Sequence, residues 1–226
     1  MNIKQNLEEI QTKIKASAAK VNRDPHSITT IAVTKFVEIE KINEAIACGI
    51  TDIAENRVQE GVRKFPLLNG QVVKHLIGSL QTNKVKAALD NFDMIHSVDR
   101  IALLEEIAKQ AEKMKKPVEI LIQLNISGED SKHGLTPDDL PLILEQLKHY
   151  PSLVPSGLMT MAPLVDNPEE VRPIFRCLKE LFDKVASEQQ FSSDWRFLSM
   201  GMSQDYPIAV EEGANLLRIG TAIFKL

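Results

Sequence analysis

Apolar and polar positions along the chain fall into two textures that take turns. Short runs rich in β-branched residues occupy 29–34 (TTIAVT), 51–54 (TDIA), 72–78 (VVKHLIG), 94–98 (MIHSV), 118–126 (VEILIQLNI), 154–161 (VPSGLMTM), 196–200 (RFLSM) and 216–219 (LLRI). Between them lie charged stretches with a 3.6-residue period, at 38–47, 56–65, 81–90, 99–115, 137–149, 168–190 and 205–212. Near-continuous apolar runs are typical of strands buried on both faces, and a crossover between parallel strands uses a helix. Eight strands joined by seven helices predict a closed (β/α)8 TIM barrel of the α/β class, with an open doubly wound sheet as the rival. Ahead of the first strand, Ile3, Leu7, Ile10, Ile14 and Val21 keep roughly to one helix face, while Lys4, Glu8, Glu9, Lys13 and Lys15 lie mostly elsewhere. Asp24-Pro25 ends that helix, so residues 1–24 are expected to form an extra element packed on the barrel.

Composition narrows the function more than the fold. A chain of 226 residues suits one barrel spanning 1–226 and can bury a sufficient core without a disulfide or metal staple. The net charge of −4 argues against a general polyanion binder, and 5% aromatic residues leave little for stacking on single-stranded nucleic acid. Cys48 and Cys177 lie far apart and form no CxxC, as in a reduced compartment. Charges run through the first fifteen residues, where a signal peptide would be apolar, and no apolar run is long enough to span a bilayer. The expectation is a soluble, cytoplasmic chain with no nucleic-acid or membrane partner. The five histidines (26, 75, 96, 133 and 149) make no HxH or HExxH set, so no metal is expected, and His75 and His96 read as structural donors on strands. Neither a Walker A pattern nor GxGxxG occurs, which disfavours a nucleoside triphosphate or dinucleotide.

In such a barrel, polar residues at the C-terminal strand ends line the mouth. Here these are Lys35, Glu55-Asn56, Gly78-Ser79-Leu80-Gln81, His96-Ser97, Asn125, Met159-Thr160, Ser199 to Ser203, and Arg218 to Thr221. The Gly/Ser/Thr turns after strands seven and eight stand where such barrels bind phosphate, with backbone N–H groups and the Ser203 and Thr221 hydroxyls as donors. Lys35 is either a lysine leaving the sheet for water or an amine in a low-dielectric mouth, able to condense with an aldehyde. Arg218 is likewise either a carboxylate partner or part of a site. The Glu55-Asn56 pair is either an acid/base group or, for its carboxylate, a charge partner of Lys35 or Arg57. Of the two tyrosines, Tyr150 is expected at the bottom face; Tyr206 follows the strand-seven turn and either approaches the site or, as Tyr206-Pro207 reads better, starts a helix. The polar loop 127–134 reads as solvated, with Lys132 as a transient acceptor of a cofactor the lesser reading.

The stretches AVTKF around Lys35, AENRVQE (54–60), HLIGSLQTNK (75–84), IHSVD (95–99), QLNISGEDSKHG (123–134), GLMTMAP (157–163), LSMGMSQDYPIAVEEGAN (198–215) and RIGTAIF (218–224) are familiar. Over most of its length the chain resembles the pyridoxal phosphate homeostasis proteins (the YggS/PROSC family), which share the barrel of alanine racemase's N-terminal domain. One departure is Ile53-Ala54, where that family usually has Phe-Gly. The resemblance implies pyridoxal 5′-phosphate (PLP) as cofactor, held by Lys35 as an internal aldimine. It implies Arg218 facing the pyridine nitrogen, Ser203, Gly220 and Thr221 at the phosphate, and Asn56, Ile77, Ser199 and Met202 as further pocket walls. It also implies that the second, β-rich domain of alanine racemase, with its catalytic tyrosine, is missing from this chain. The expectation is therefore a monomeric cofactor-binding protein with little or no catalysis, buffering PLP or delivering it to PLP-dependent apoenzymes. The alternatives are Schiff-base enzymes: an aldolase or lyase on a phosphorylated sugar, or an amino-acid racemase.

Overall fold

In the computed structural model, which describes residues 2–129, 133–188 and 194–225, every predicted apolar run contains a strand. These are β1 (Thr29–Val33), β2 (Asp52–Glu55), β3 (Val73–Leu76), β4 (Met94–Val98), β5 (Val118–Gln123), β6 (Leu153–Met159), β7 (Phe197–Ser199) and β8 (Leu216–Ile219). Each pairs in parallel with the next, and β8 returns to β1 through Thr29↔Leu216 and Ala32↔Ile219, closing the barrel. The open doubly wound sheet is thereby excluded. Several strands stop short of their apolar runs: β3 ends at Leu76, not Gly78, and β5 at Gln123, not Ile126. Past these points the chain leaves the sheet to build the mouth.

The helices are α1 (Ile3–Lys20), α2 (Ile39–Ala47), α3 (Val58–Lys64), α4 (Val85–Asn91), α5 (Ile101–Met114), α6 (Leu140–Leu147), α7 (Arg172–Ser187), α8 (Tyr206–Glu211) and α9 (Thr221–Phe224). A capping box starts α1: the Asn2 side chain accepts from Gln5 N–H at 2.9 Å, and the Gln5 side chain accepts from Asn2 N–H at 3.2 Å. That helix ends at Lys20, earlier than Asp24-Pro25, because Asn22 takes a left-handed conformation (φ 54°). Val21 therefore falls outside the buried face and is 38% exposed. Ile3, Ile10 and Ile14 are buried against α8 and α9. Asn6 Nδ2 donates to the carbonyls of Ile223 (2.8 Å) and Lys225 (3.1 Å), tying the first helix to the last. No helix among the described residues is long and apolar enough to cross a membrane.

Two apolar clusters result. The larger one lies between sheet and helices, while Ile31, Val33, Ala54, Ile77, Met94, Leu121, Met159 and Leu216 form a separate, smaller one. The smaller set follows the period-two alternation of the strands and marks the barrel interior. Polar residues share that parity with it: Asp52, His75, His96, Ser199 and Arg218. Gly157 lets β6 approach β7, since a Cβ there would stand 1.8 Å from the Phe197 carbonyl oxygen.

Candidate functional site

The mouth is built by residues that follow the strands. Lys35 comes two residues after β1, and the Val37 N–H closes a tight turn onto the Thr34 carbonyl at 3.0 Å. Phe36 inside that turn has φ 62° and is 92% exposed, an unusual combination for an aromatic residue. Lys35 itself is exposed rather than enclosed by the mouth. Beneath it sits an ion pair that sequence reasoning missed. Lys64, at the end of α3, is 2% exposed and donates to Glu55 Oε1 and to the Thr34 carbonyl, both at 2.8 Å. Thr34 Oγ1 donates to the same Glu55 oxygen at 2.7 Å. The partner of Glu55 is therefore Lys64, not Lys35 or Arg57, because Lys64 falls on the buried face of α3, with Val58 and Gly61, and reaches the β1 end.

Lys35, Asn56, Ile77 and Met202 line a cavity of about 420 Å³ together with Ser203, Arg218, Gly220 and Thr221. That size is ordinary for a small-molecule site. Val33 and Met161 add apolar wall, and Asp205 adds a carboxylate. A neighbouring cavity of about 480 Å³, with Glu38, Arg57 and Arg63 on its walls, lies on the other side of Lys35. Ser199 does not line either cavity. It is fully buried and accepts from Arg218 Nη1 at 2.6 Å, so it supports the arginine from beneath. Arg218 Nη2 donates to the Thr160 carbonyl at 2.8 Å. Burial pulls the Arg218 pKa down to about 10, with the charge of Asp205 opposing it, and the guanidinium stays cationic at neutral pH.

At the turns after β7 and β8, the Ala222 N–H donates to Ser203 Oγ at 3.1 Å and joins the two. Asp205 Oδ1 accepts from the Met202 N–H at 2.5 Å and fixes the first of them. Opposite, Gly78 packs so closely on the Asn56 carbonyl that a Cβ would stand 2.1 Å from its oxygen. Asn56 Oδ1 is buried without a hydrogen-bond partner. His75 and His96 are more than isolated strand donors. Asp52 Oδ1 lies 2.9 Å from His75 Nε2, His75 Nδ1 lies 2.9 Å from His96 Nε2, and His96 Nδ1 lies 3.0 Å from Ser199 Oγ. Burial first, and the charge of Arg218 with it, hold the His96 pKa well below its ordinary value. Asp52, at the start of β2 and away from the C-terminal strand ends that build the mouth, had no signal in the sequence to mark it.

Tyr206 opens α8, as its Tyr-Pro context predicts, and is 3% exposed. Burial, and then Glu9 on α1, push its phenol up to about 12, and it does not line the cavity. Tyr150 follows α6 on the way into β6, at the opposite face. Among the described residues no group of His, Cys, Asp and Glu could hold a metal ion. Lys132 lies outside the described residues.

The arrangement is an amine beside a buried guanidinium and two hydroxyl-bearing turns, on a barrel. The family model for the alanine racemase N-terminal domain matches residues 2–226. A pyridoxal phosphate homeostasis protein from Aquifex aeolicus is 38% identical over 99% of this chain and 98% of its own length. The chain belongs to this family. The Escherichia coli pyridoxal phosphate homeostasis protein is 36% identical over 99% of this chain and 96% of its own length. Among solved structures, PipY of Synechococcus elongatus with PLP bound superposes at TM-score 0.85, with 32% identity, covering 99% of this chain and all (100%) of that one. A Clostridium difficile alanine racemase shares the fold at TM-score 0.76 and 14% identity, and the match spans 59% of that longer chain.

Proposed function

We propose that this protein holds PLP at Lys35 and serves intracellular cofactor homeostasis, buffering PLP and passing it to PLP-dependent apoenzymes. The observation that carries this reading is the convergence of Lys35, Arg218, Ser203 and Thr221 on one cavity. The relatives' names and the PLP bound to PipY support it. The residues also fit the group. Ser203 Oγ already accepts from Ala222, so its proton is left to donate to an anion. The partnerless Asn56 Oδ1 can meet a polar ring substituent, and Ile77 and Met202 supply apolar wall for a flat ring.

When bound, PLP supplies an aldehyde that condenses with amines and a ring that draws electrons. In this reading Lys35 Nζ binds that aldehyde, while Ser203, Gly220 and Thr221 hold the phosphate. Arg218 donates to the ring nitrogen and, having no acceptor, discourages its protonation, which weakens the ring as an electron sink. Inverting an amino acid needs a proton donor on the face opposite Lys35. Neither tyrosine lines the cavity, and the Tyr206 phenol is buried beside α1. This supports binding with little or no catalysis. Action as a cytoplasmic monomer completes the proposal.

The test is to load the protein with PLP, reduce it with borohydride and map the adduct by mass spectrometry. We expect a visible absorbance band that reduction removes, with the modification on Lys35. A modification elsewhere, or racemisation of alanine at rates typical of enzymes (~1–10³ per second), would overturn the reading.

A further inference from the structure

The polar residues in the barrel interior make a continuous hydrogen-bonded row, and its direction can be deduced. Arg218 has only N–H groups, so the Arg218–Ser199 contact must run from guanidinium to hydroxyl oxygen. Ser199 Oγ is fully buried and touches one other polar partner, His96 Nδ1 at 3.0 Å. Its proton therefore goes to His96 Nδ1. A neutral imidazole that accepts at Nδ1 carries its proton on Nε2, and that proton faces His75 Nδ1 at 2.9 Å. His75 then accepts at Nδ1 and donates from Nε2 to Asp52 Oδ1 at 2.9 Å. The reverse arrangement needs an imidazolium at His75 and leaves the Ser199 proton with no acceptor.

We infer that Arg218→Ser199→His96→His75→Asp52 is a one-way relay across the barrel interior, and that His96 and His75 are positioning residues for the Arg218 guanidinium. The relay has a cation at the mouth and a carboxylate at the start of β2, with two neutral rings between them. It links a buried cation to a distant anion without a direct ion pair. Because the Ser199 proton is committed to His96, the Ser199 oxygen is held as an acceptor facing Arg218 Nη1; rotating the guanidinium would leave that buried N–H without its acceptor, so the row acts against rotation. The direction of the row rests on the hydrogen bonds alone. Its consequence for the cofactor rests on the PLP reading proposed above.

Two measurements separate these. In unloaded protein labelled with ¹⁵N-histidine, long-range proton–nitrogen correlation at neutral pH reports each ring's tautomer, with a His75→Gln variant assigning the signals. Both rings should be neutral and protonated at Nε2. A protonated His75, or a proton on His96 Nδ1, would overturn the relay. In PLP-loaded protein, His96→Leu should shift the visible band and weaken PLP retention by about tenfold, the scale of one lost hydrogen bond to a charged group. His96→Asn keeps an acceptor for Ser199 and should restore both. An unmoved band and unchanged retention in His96→Leu would overturn the positioning role. If His96→Leu does not fold, the tautomers decide. Unaltered protein that took up no PLP would overturn the functional reading while the tautomers still test the relay.

Discussion

Replacing Lys64 by Met leaves the Glu55 carboxylate buried without its cation. The Glu55 and Lys64 side chains are 1% and 2% exposed, so water cannot take the place of either. The ammonium donates to Glu55 Oε1 and to the Thr34 carbonyl, while Glu55 Oε2 has no partner at all. After the substitution only the Thr34 hydroxyl still serves the carboxylate. Breaking a buried pair by removing one partner costs about 3–5 kcal/mol. For a chain of this size that corresponds to a fall in Tm of about 6–20 °C, at ~2–4 °C per kcal/mol. Glu55→Gln should cost less, because Lys64 keeps the Thr34 carbonyl and an amide oxygen in place of the carboxylate. The double variant Glu55→Gln/Lys64→Met removes both charges and should recover at least half of the loss seen in Lys64→Met. The assay is urea unfolding of the three variants, closed as a double-mutant cycle. A cost below ~1 kcal/mol for Lys64→Met, the scale of a solvated surface pair, would refute the reasoning. So would strictly additive single effects.

Lys35→Ala should abolish the borohydride-sensitive visible absorbance while leaving Tm unchanged, since Lys35 is exposed; a retained band in the variant would count against the assignment. Thr221→Ala should weaken PLP retention about tenfold or more, from the ~1.5–3 kcal/mol of a hydrogen bond to a charged group, yet leave binding of unphosphorylated pyridoxal nearly untouched. Ser203→Ala should do the same and also loosen Ala222, whose N–H it accepts; competition assays with both ligands check the pair. Gly78→Ala should lower PLP retention by pushing on the Asn56 backbone, and equal retention would show that the strand end yields freely. Because His96 stays neutral in the fold, the unfolded chain takes up a proton below pH ~6.5 that the native protein does not. Stability should then fall by up to ~1.4 kcal/mol per pH unit from ~6.5 downward, and the same slope in His96→Asn, measured by urea unfolding, would exclude His96 as its source.

The barrel was readable because burial on both faces writes each strand as a short apolar run, and β1, β4 and β8 match their runs to within a residue. Strand ends also marked which polar residues face the mouth. What could not be read lies between elements. Lys64 sits in a charged stretch that looks like a solvated helix face, yet it lies on the buried side of α3, against Glu55 and the Thr34 carbonyl. Nothing in one sequence aligns Asp52, His75 and His96, because their meeting depends on how far neighbouring strands are staggered around the barrel. Ser199 was placed among the walls for the same reason: its position next to the turn is local, while the arginine standing over it comes from another strand.

The tie between the two ends of the chain also sets an order of events. Asn6 fastens to the carbonyls of Ile223 and Lys225 across 217 and 219 positions, and β1 finds its second neighbour only in β8. Contacts of such long range are late and slow to form, since loop closure must precede any gain from them. During synthesis, strands β1 to β7 can emerge and pair while the barrel stays open along one seam. The Gly220-Thr221 turn takes shape only when that seam closes. A partly made chain would already carry Lys35 with no finished place for a phosphate beside it, so competence for an anionic aldehyde arrives in a single step, when β8 closes the barrel.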